Sequence, residues 1–164
     1  MHEIKHSETL PYAAMEMFEL VADVDRYKEF LPWCTDSRIL RRENDNVVVA
    51  EIQVGFGIIH TTFATRNTLR IGRAIEMDLV EGPFRFLKGG WNFDPMPEHG
   101  SRMSLNLRFE FSHHTLEASF SYMFEKAMDS MVYAFKGRAA ELYEKGSALD
   151  GRKKRLKKGV SNRI

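Results

Sequence analysis

The chain has a single cysteine, Cys34, among 164 residues. That excludes an intrachain disulfide framework and fits a reducing compartment. Long apolar runs are missing too: the longest is about five residues, Met131 to Phe135, against the roughly 20 that a membrane-spanning helix requires. The first six residues, Met1 to His6, lack the apolar stretch of a signal peptide. These absences lead us to expect a soluble, cytoplasmic protein. Catalytic and metal-ligating patterns are also missing. There is no Gly-x-Ser-x-Gly elbow, no His-Glu-x-x-His and no Cys-x-x-Cys. Gly55-x-Gly57 lacks the third glycine and the following helix of a phosphate loop. His2, His6, His60, His99 and His113-His114 show no ligand spacing, so no structural metal is expected. Glu76 and Asp78 share one side of a strand opposite Ile75, Met77 and Leu79, which turns them toward water. Cys34 has no neighbouring base and reads as a buried, inert thiol.

What is present is an ordinary globular composition with an uneven charge distribution. The net charge is +1, from 24 basic and 23 acidic residues. The stretch from Gly151 to Ile164 holds Arg152, Lys153, Lys154, Arg155, Lys157, Lys158 and Arg163 and no acid. The body then carries −6 and the tail +7. Such a tail suits a polyanionic partner, whether nucleic acid, ribosome or anionic membrane surface, or simply a solvated, disordered end. The length fits one domain, residues 1–146, followed by this basic tail, 147–164, expected to be disordered.

The patterning gives an element order. His2 to Leu10 reads as a strand that Pro11 stops. Ala13 to Ala22 has helical spacing, with Ala14, Met17, Phe18 and Val21 on one face. Asp25 is placed to cap a second short helix, Arg26 to Leu31, which Pro32 ends. From Ser37 the period becomes two. Val48 to Phe56, Ile59 to Leu69 and Ile75 to Leu79 are strands. So is a segment carrying Phe84, Phe86, Trp91 and Phe93, which Gly89-Gly90 is expected to interrupt. Met103, Leu105, Leu107, Phe109 and Phe111 then alternate with polar residues in the cleanest strand of the chain. A proline-free stretch from Thr115 to Lys145 places Leu116, Phe120, Phe124, Ala127, Met131, Ala134 and Phe135 on one helical stripe. The class is α+β: a curved antiparallel sheet of about seven strands around one long C-terminal helix, with two short helices after the first strand. A helix cannot fill a wide curved sheet, so an apolar hollow is expected between them.

Specific strings narrow this. Leu20 to Tyr27 (LVADVDRY) followed by Phe30-Leu31-Pro32-Trp33-Cys34, then Phe84 to Phe93 (FRFLKGGWNF), then Phe109 to Ser112 (FEFS) with Ala134 to Ala139 (AFKGRA), resemble three blocks of the coenzyme Q-binding START-domain family. The resemblance covers residues 1 to about 146. It departs at Gly137, where an acidic residue is more usual, and at His113-His114, where an Asn-Pro-type turn is expected. This polyketide cyclase-like family has the helix-grip fold and includes a bacterial ribosome-association-toxin branch.

The resemblance implies non-catalytic binding. One form holds a polyprenyl quinone, ubiquinone, as bound ligand in an apolar cavity and supports respiration or quinone biosynthesis. The other binds the large ribosomal subunit and blocks subunit joining. Lipid carriage would use Phe63, Met77, Phe86, Trp91, Met103, Leu105, Leu107, Phe109, Phe124, Met128, Met131 and Phe135, aromatic and methionine side chains suited to isoprenoid and ring surfaces or simply to a core. Phe30, Leu31, Pro32 and Trp33 fall at the expected cavity mouth, as a gate or as a plug. Arg152, Lys153, Lys154, Arg155, Lys157 and Lys158 would meet the polyanion, either the ribosome or the inner face of a membrane. A cyclase or hydrolase on the same fold would need ionisable groups inside the cavity, and the apolar faces offer few.

Overall fold

The computed structural model describes residues 1–98, 100–112 and 114–144 of the chain. The expected tail at 147–164, including Arg152 to Lys158, lies outside the described residues.

Strand β1 (His2–Leu10) leads into helix α1 (Ala14–Ala22) and a 3-10 helix (Val24–Glu29). Six strands follow: β2 (Cys34–Asn44), β3 (Val47–Phe56), β4 (Ile59–Arg70), β5 (Ala74–Glu81), β6 (Phe84–Pro95) and β7 (Ser101–Phe111). Helix α2 (His114–Ala139) closes the domain and runs into a π-helical turn, Ala140–Glu144. All seven strands form one curved antiparallel sheet in the order β1-β7-β6-β5-β4-β3-β2. Strands β2 to β7 follow one another as hairpins, and only β1 pairs out of sequence, alongside β7. This is the helix-grip architecture expected from the element order.

Local chemistry explains most of these elements. On β7, Met103, Leu105, Leu107, Phe109 and Phe111 are buried while Arg102, Asn106 and Arg108 are exposed. On α2, Phe120, Phe124, Ala127, Met128, Met131, Val132, Phe135 and Ala139 are buried, and Tyr122, Met123 and Tyr133 face water. The Glu16 carboxylate accepts the Ala13 N–H at 3.0 Å and satisfies an otherwise orphaned donor at the start of α1.

Three expectations need correction. Asp25 does not cap the short helix: that helix starts at Val24, and the Asp25 carboxylate accepts the Ile39 N–H of β2 at 3.0 Å. Strand β2 begins at Cys34 rather than Ser37, because the Phe30–Cys34 turn feeds straight into the sheet edge. Gly89-Gly90 does not interrupt β6, which pairs with β7 without a break from Phe86 to Pro95. Both glycines instead allow close approach. A Cβ on Gly90 would lie 2.4 Å from the Ile75 carbonyl oxygen, and one on Gly89 2.1 Å from that of Asn106.

A fourth correction concerns Phe86. The β6–β7 register shifts between Phe84 and Phe86: Phe84 pairs with Phe111, Phe86 with Glu110, and Leu87 with Phe109. One inserted residue reverses which side faces the core. Phe84 and Leu87 therefore point at the helix, and Phe86 points out from the convex side of the sheet, partly exposed.

Candidate functional site

The space between α2 and the concave side of the sheet is nearly filled by rings. At one end, Phe124 packs on Phe109 (4.9 Å between centroids), Phe84 (5.2 Å) and Phe63 (5.9 Å), and Phe120 packs on Phe111 (5.3 Å). At the other, Phe135 packs on Tyr27 and Phe30 (both 5.2 Å) and on Trp91 (5.4 Å). Most of these contacts are edge-to-face, the arrangement that aromatic quadrupoles favour.

Between the two clusters lies a cavity of about 40 Å³, room for a few water molecules. Of the residues expected to hold a ligand, Phe63, Met77, Trp91, Leu105, Leu107, Phe124, Met128 and Met131 line it. Met103, Phe109 and Phe135 do not; each is fully buried within the surrounding core. Phe86 is on the opposite side of the sheet, for the reason given above.

The remaining wall was missed by sequence reasoning: Val24 and Tyr27 from the 3-10 helix, Ala50 and Ile52 from β3, Thr65 and Asn67 from β4, and Leu87 from β6. The Thr65 hydroxyl donates to Asn67 Oδ1 at 2.7 Å, and both side chains are buried. The Tyr27 hydroxyl is already committed, donating to the Val21 carbonyl. Burial pushes its acidity constant well above the ordinary phenol range, so it is neutral at any physiological pH. Among the lining residues Tyr27 is the only ionisable one. Such a wall can solvate an apolar body with one or two polar atoms, but offers no acid, base or nucleophile poised for catalysis.

The Phe30–Cys34 segment divides between cover and wall. Pro32 is exposed, Leu31 is buried, and Phe30 covers Phe135 while the Arg138 guanidinium lies 5.0 Å from the centre of its ring. Trp33 lines the cavity, is 7 % exposed, and its indole Nε1–H has no acceptor among the described residues. Cys34 is buried, its thiol donates to the Asp36 carbonyl at 3.3 Å, and burial pushes its acidity constant up.

The other singled-out side chains stand apart from the cavity. Glu76 and Asp78 face water and pair with Arg70 (3.0 Å) and Lys88 (3.4 Å). His2 and His6 face α2: His2 Nδ1 is 3.1 Å from Glu125 Oε1, and His6 Nδ1 is 3.0 Å from the Asp129 carbonyl. Among the described residues no group of three or more His, Cys, Asp or Glu side chains is placed to hold a metal ion. None of the described helices is long and apolar enough to cross a membrane.

Comparison with known proteins agrees with this architecture. The family model described as polyketide cyclase / dehydrase and lipid transport matches residues 10–136. The ribosome association toxin RatA of Escherichia coli is 41% identical over 143 residues, 87% of this chain and 90% of that one. The mitochondrial coenzyme Q-binding protein of Dictyostelium discoideum is 29% identical over 140 residues, covering 84% of this chain and 68% of that one. Among solved structures, an 18 kDa protein from Caulobacter crescentus is 35% identical with a TM-score of 0.69, covering 88% of this chain and 99% of that one. An aromatase/cyclase from a Streptomyces has the same fold, with a TM-score of 0.74 at 19% identity, covering 84% of this chain and 93% of that one. The chain belongs to the polyketide cyclase / dehydrase and lipid transport family, in its START-like, helix-grip form, with ribosome association toxins and a coenzyme Q-binding protein among its relatives.

Proposed function

We propose that this protein is a non-catalytic binding factor that associates with the ribosome, the association for which several of its bacterial relatives are named. The observation that carries the reading is the 41% identity to ribosome association toxins along nearly the whole of both chains. The interior supports it. A cavity of about 40 Å³ is far below the roughly 300–1,000 Å³ of sites that enclose small-molecule ligands. A basic tail of +7 on a body of −6 supports it further, since RNA is the largest polyanion in a ribosome. The protein would then work wherever ribosomes are. Sedimentation of the purified full chain with ribosomal subunits through sucrose tests the reading. Co-migration with one subunit and a smaller joined-ribosome peak are expected; free protein at the top of the gradient with unchanged peaks would refute it.

A second reading rests on a separate observation. The cavity wall is apolar except for the Thr65–Asn67 pair, the Trp33 indole and Tyr27, whose hydroxyl is committed to the Val21 carbonyl, a lining suited to an isoprenoid quinone, and a coenzyme Q-binding protein is a relative. Ubiquinone would fit only if α2 moves away from the sheet. Organic extraction of the purified protein, followed by mass analysis, tests this: bound prenyl quinone supports carriage, and its absence with no uptake of added quinone removes it.

A further inference from the structure

The bulge in β6 creates a second feature, on the side of the sheet away from the cavity. An open groove of about 530 Å³ is bordered by Glu3 and Lys5 of β1, Phe86 and Lys88 of β6, and Asn106 and Arg108 of β7. The register explains the grouping. Glu3 pairs with Arg108, and Arg108 with Lys88, so the three stand side by side on adjacent strands about 4.8 Å apart. Phe86 stands two residues along from Lys88 on the same side, about 6.8 Å away. An aromatic ring is thus presented on the wet side of the sheet near three cations, with Glu3 in the same groove and Glu110, itself 3.9 Å from Arg85, directly across from Phe86.

We infer that this groove binds single-stranded RNA, with a base stacked on Phe86 and phosphates held by Arg108, Lys88 and Lys5. This rests on the ribosomal reading and names the surface and the chemical class of partner it would use. Base stacking on an aromatic side chain is tolerant of sequence, because every base has a flat π-face. Cations beside such a ring are the other half of a single-strand site. A purely acidic peptide could use the cations but carries no flat ring to stack on Phe86. The charges are available. Arg108 makes no ion pair among the described residues. Among the described residues Lys5 pairs only with Glu3 at 3.0 Å and Lys88 only with Asp78 at 3.4 Å, in exposed bridges that a phosphate can exchange for. The rest of the body is net acidic, so a polyanion would meet attraction here and repulsion elsewhere.

The test uses the full chain, tail retained, and a fluorescein-labelled single-stranded RNA about 12 nucleotides long, followed by anisotropy. Phe86→Leu keeps an apolar side chain at the bulge and should weaken binding about tenfold by removing the stacking platform. Lys88→Gln combined with Arg108→Gln should lower the slope of log K against log salt by about 1.4, two phosphate contacts at roughly 0.7 each. Both variants alter exposed or partly exposed side chains, and an unchanged circular dichroism spectrum and urea midpoint would confirm that they fold. Wild-type affinity in folded Phe86→Leu, or equal competition by polyglutamate, would overturn the inference. Subunit sedimentation separates the two layers. If wild type co-migrates with a subunit and the folded groove variants do so equally, the groove assignment is wrong and the ribosomal reading stands. If wild type ignores subunits yet binds the oligonucleotide through Phe86, the groove stands and the ribosomal reading falls.

Discussion

Arg138 donates to the Glu29 carboxylate at 2.8 Å while its guanidinium lies over the ring of Phe30. One side chain of α2, itself 12 % exposed, therefore ties the end of the long helix to the segment that covers one end of the cavity. Exchanging Arg138→Met keeps the apolar stem and removes the charge. The cation–π contact and a half-exposed ion pair together predict a loss of about 1–2 kcal/mol. Urea denaturation of the single variants and the Arg138→Met/Glu29→Gln double variant measures it, and a double variant no less stable than Arg138→Met would show the coupling.

The Thr65–Asn67 hydrogen bond lies inside an apolar wall. Thr65→Val preserves shape and leaves Asn67 Oδ1 without that donor. The expected cost is about 1–3 kcal/mol, the penalty of a buried acceptor left unpaired, read as a lower urea midpoint at unchanged m-value.

Met128 lines the cavity and is buried on α2. Met128→Ala should enlarge the hollow and cost about 2–5 kcal/mol. Added benzene or another small apolar ligand should recover part of that loss by occupying the new space. An increase in Tm with benzene for the variant, and none for wild type, checks that the wild-type interior is closed to such ligands.

Four weakly acidic side chains share one direction of shift, the half-buried Tyr143 among them. The Tyr12 hydroxyl is pushed up to about 12 by burial and by its hydrogen bond to Glu144, and burial raises both Tyr27 and the Cys34 thiol. In each case the folded state holds its proton more tightly than the unfolded chain. Their contribution to stability is complete below the ordinary values, near 9.0 for the thiol and 10.0 for the phenols, and is lost as pH rises through the folded values. Stability from these groups should therefore hold level to about pH 9 and fall from there toward pH 12. Urea midpoints across that range measure the fall, and Tyr12→Phe should remove the part between about pH 10 and 12.

Where the chain alternates without exception, the fold is legible. The five inward residues of β7 and the stripe from Phe120 to Phe135 are read directly from periods of two and about 3.6. Phe86 is not, because a one-residue bulge reverses parity and leaves no mark in composition. Thr65 and Asn67 carried a usable signal: they share the parity of Phe63, which the register places on the same side, but their polarity hides them among apolar candidates. The size of the hollow was not legible at all. Whether Phe63, Phe84, Phe109, Phe111, Phe120 and Phe124 line a space or fill it depends on how closely the rings meet, which no pattern of spacing encodes.

As proposed above, this protein would act through its surface on the ribosome and not by carrying a lipid in its interior. Light scattering of purified small and large subunits, mixed with a stoichiometric amount of the full chain, is the decisive measurement. Slower and less complete joining is expected, with the effect weakened in folded Phe86→Leu. Joining at the uninhibited rate and extent, from a preparation that carries one prenyl quinone per chain, would contradict it.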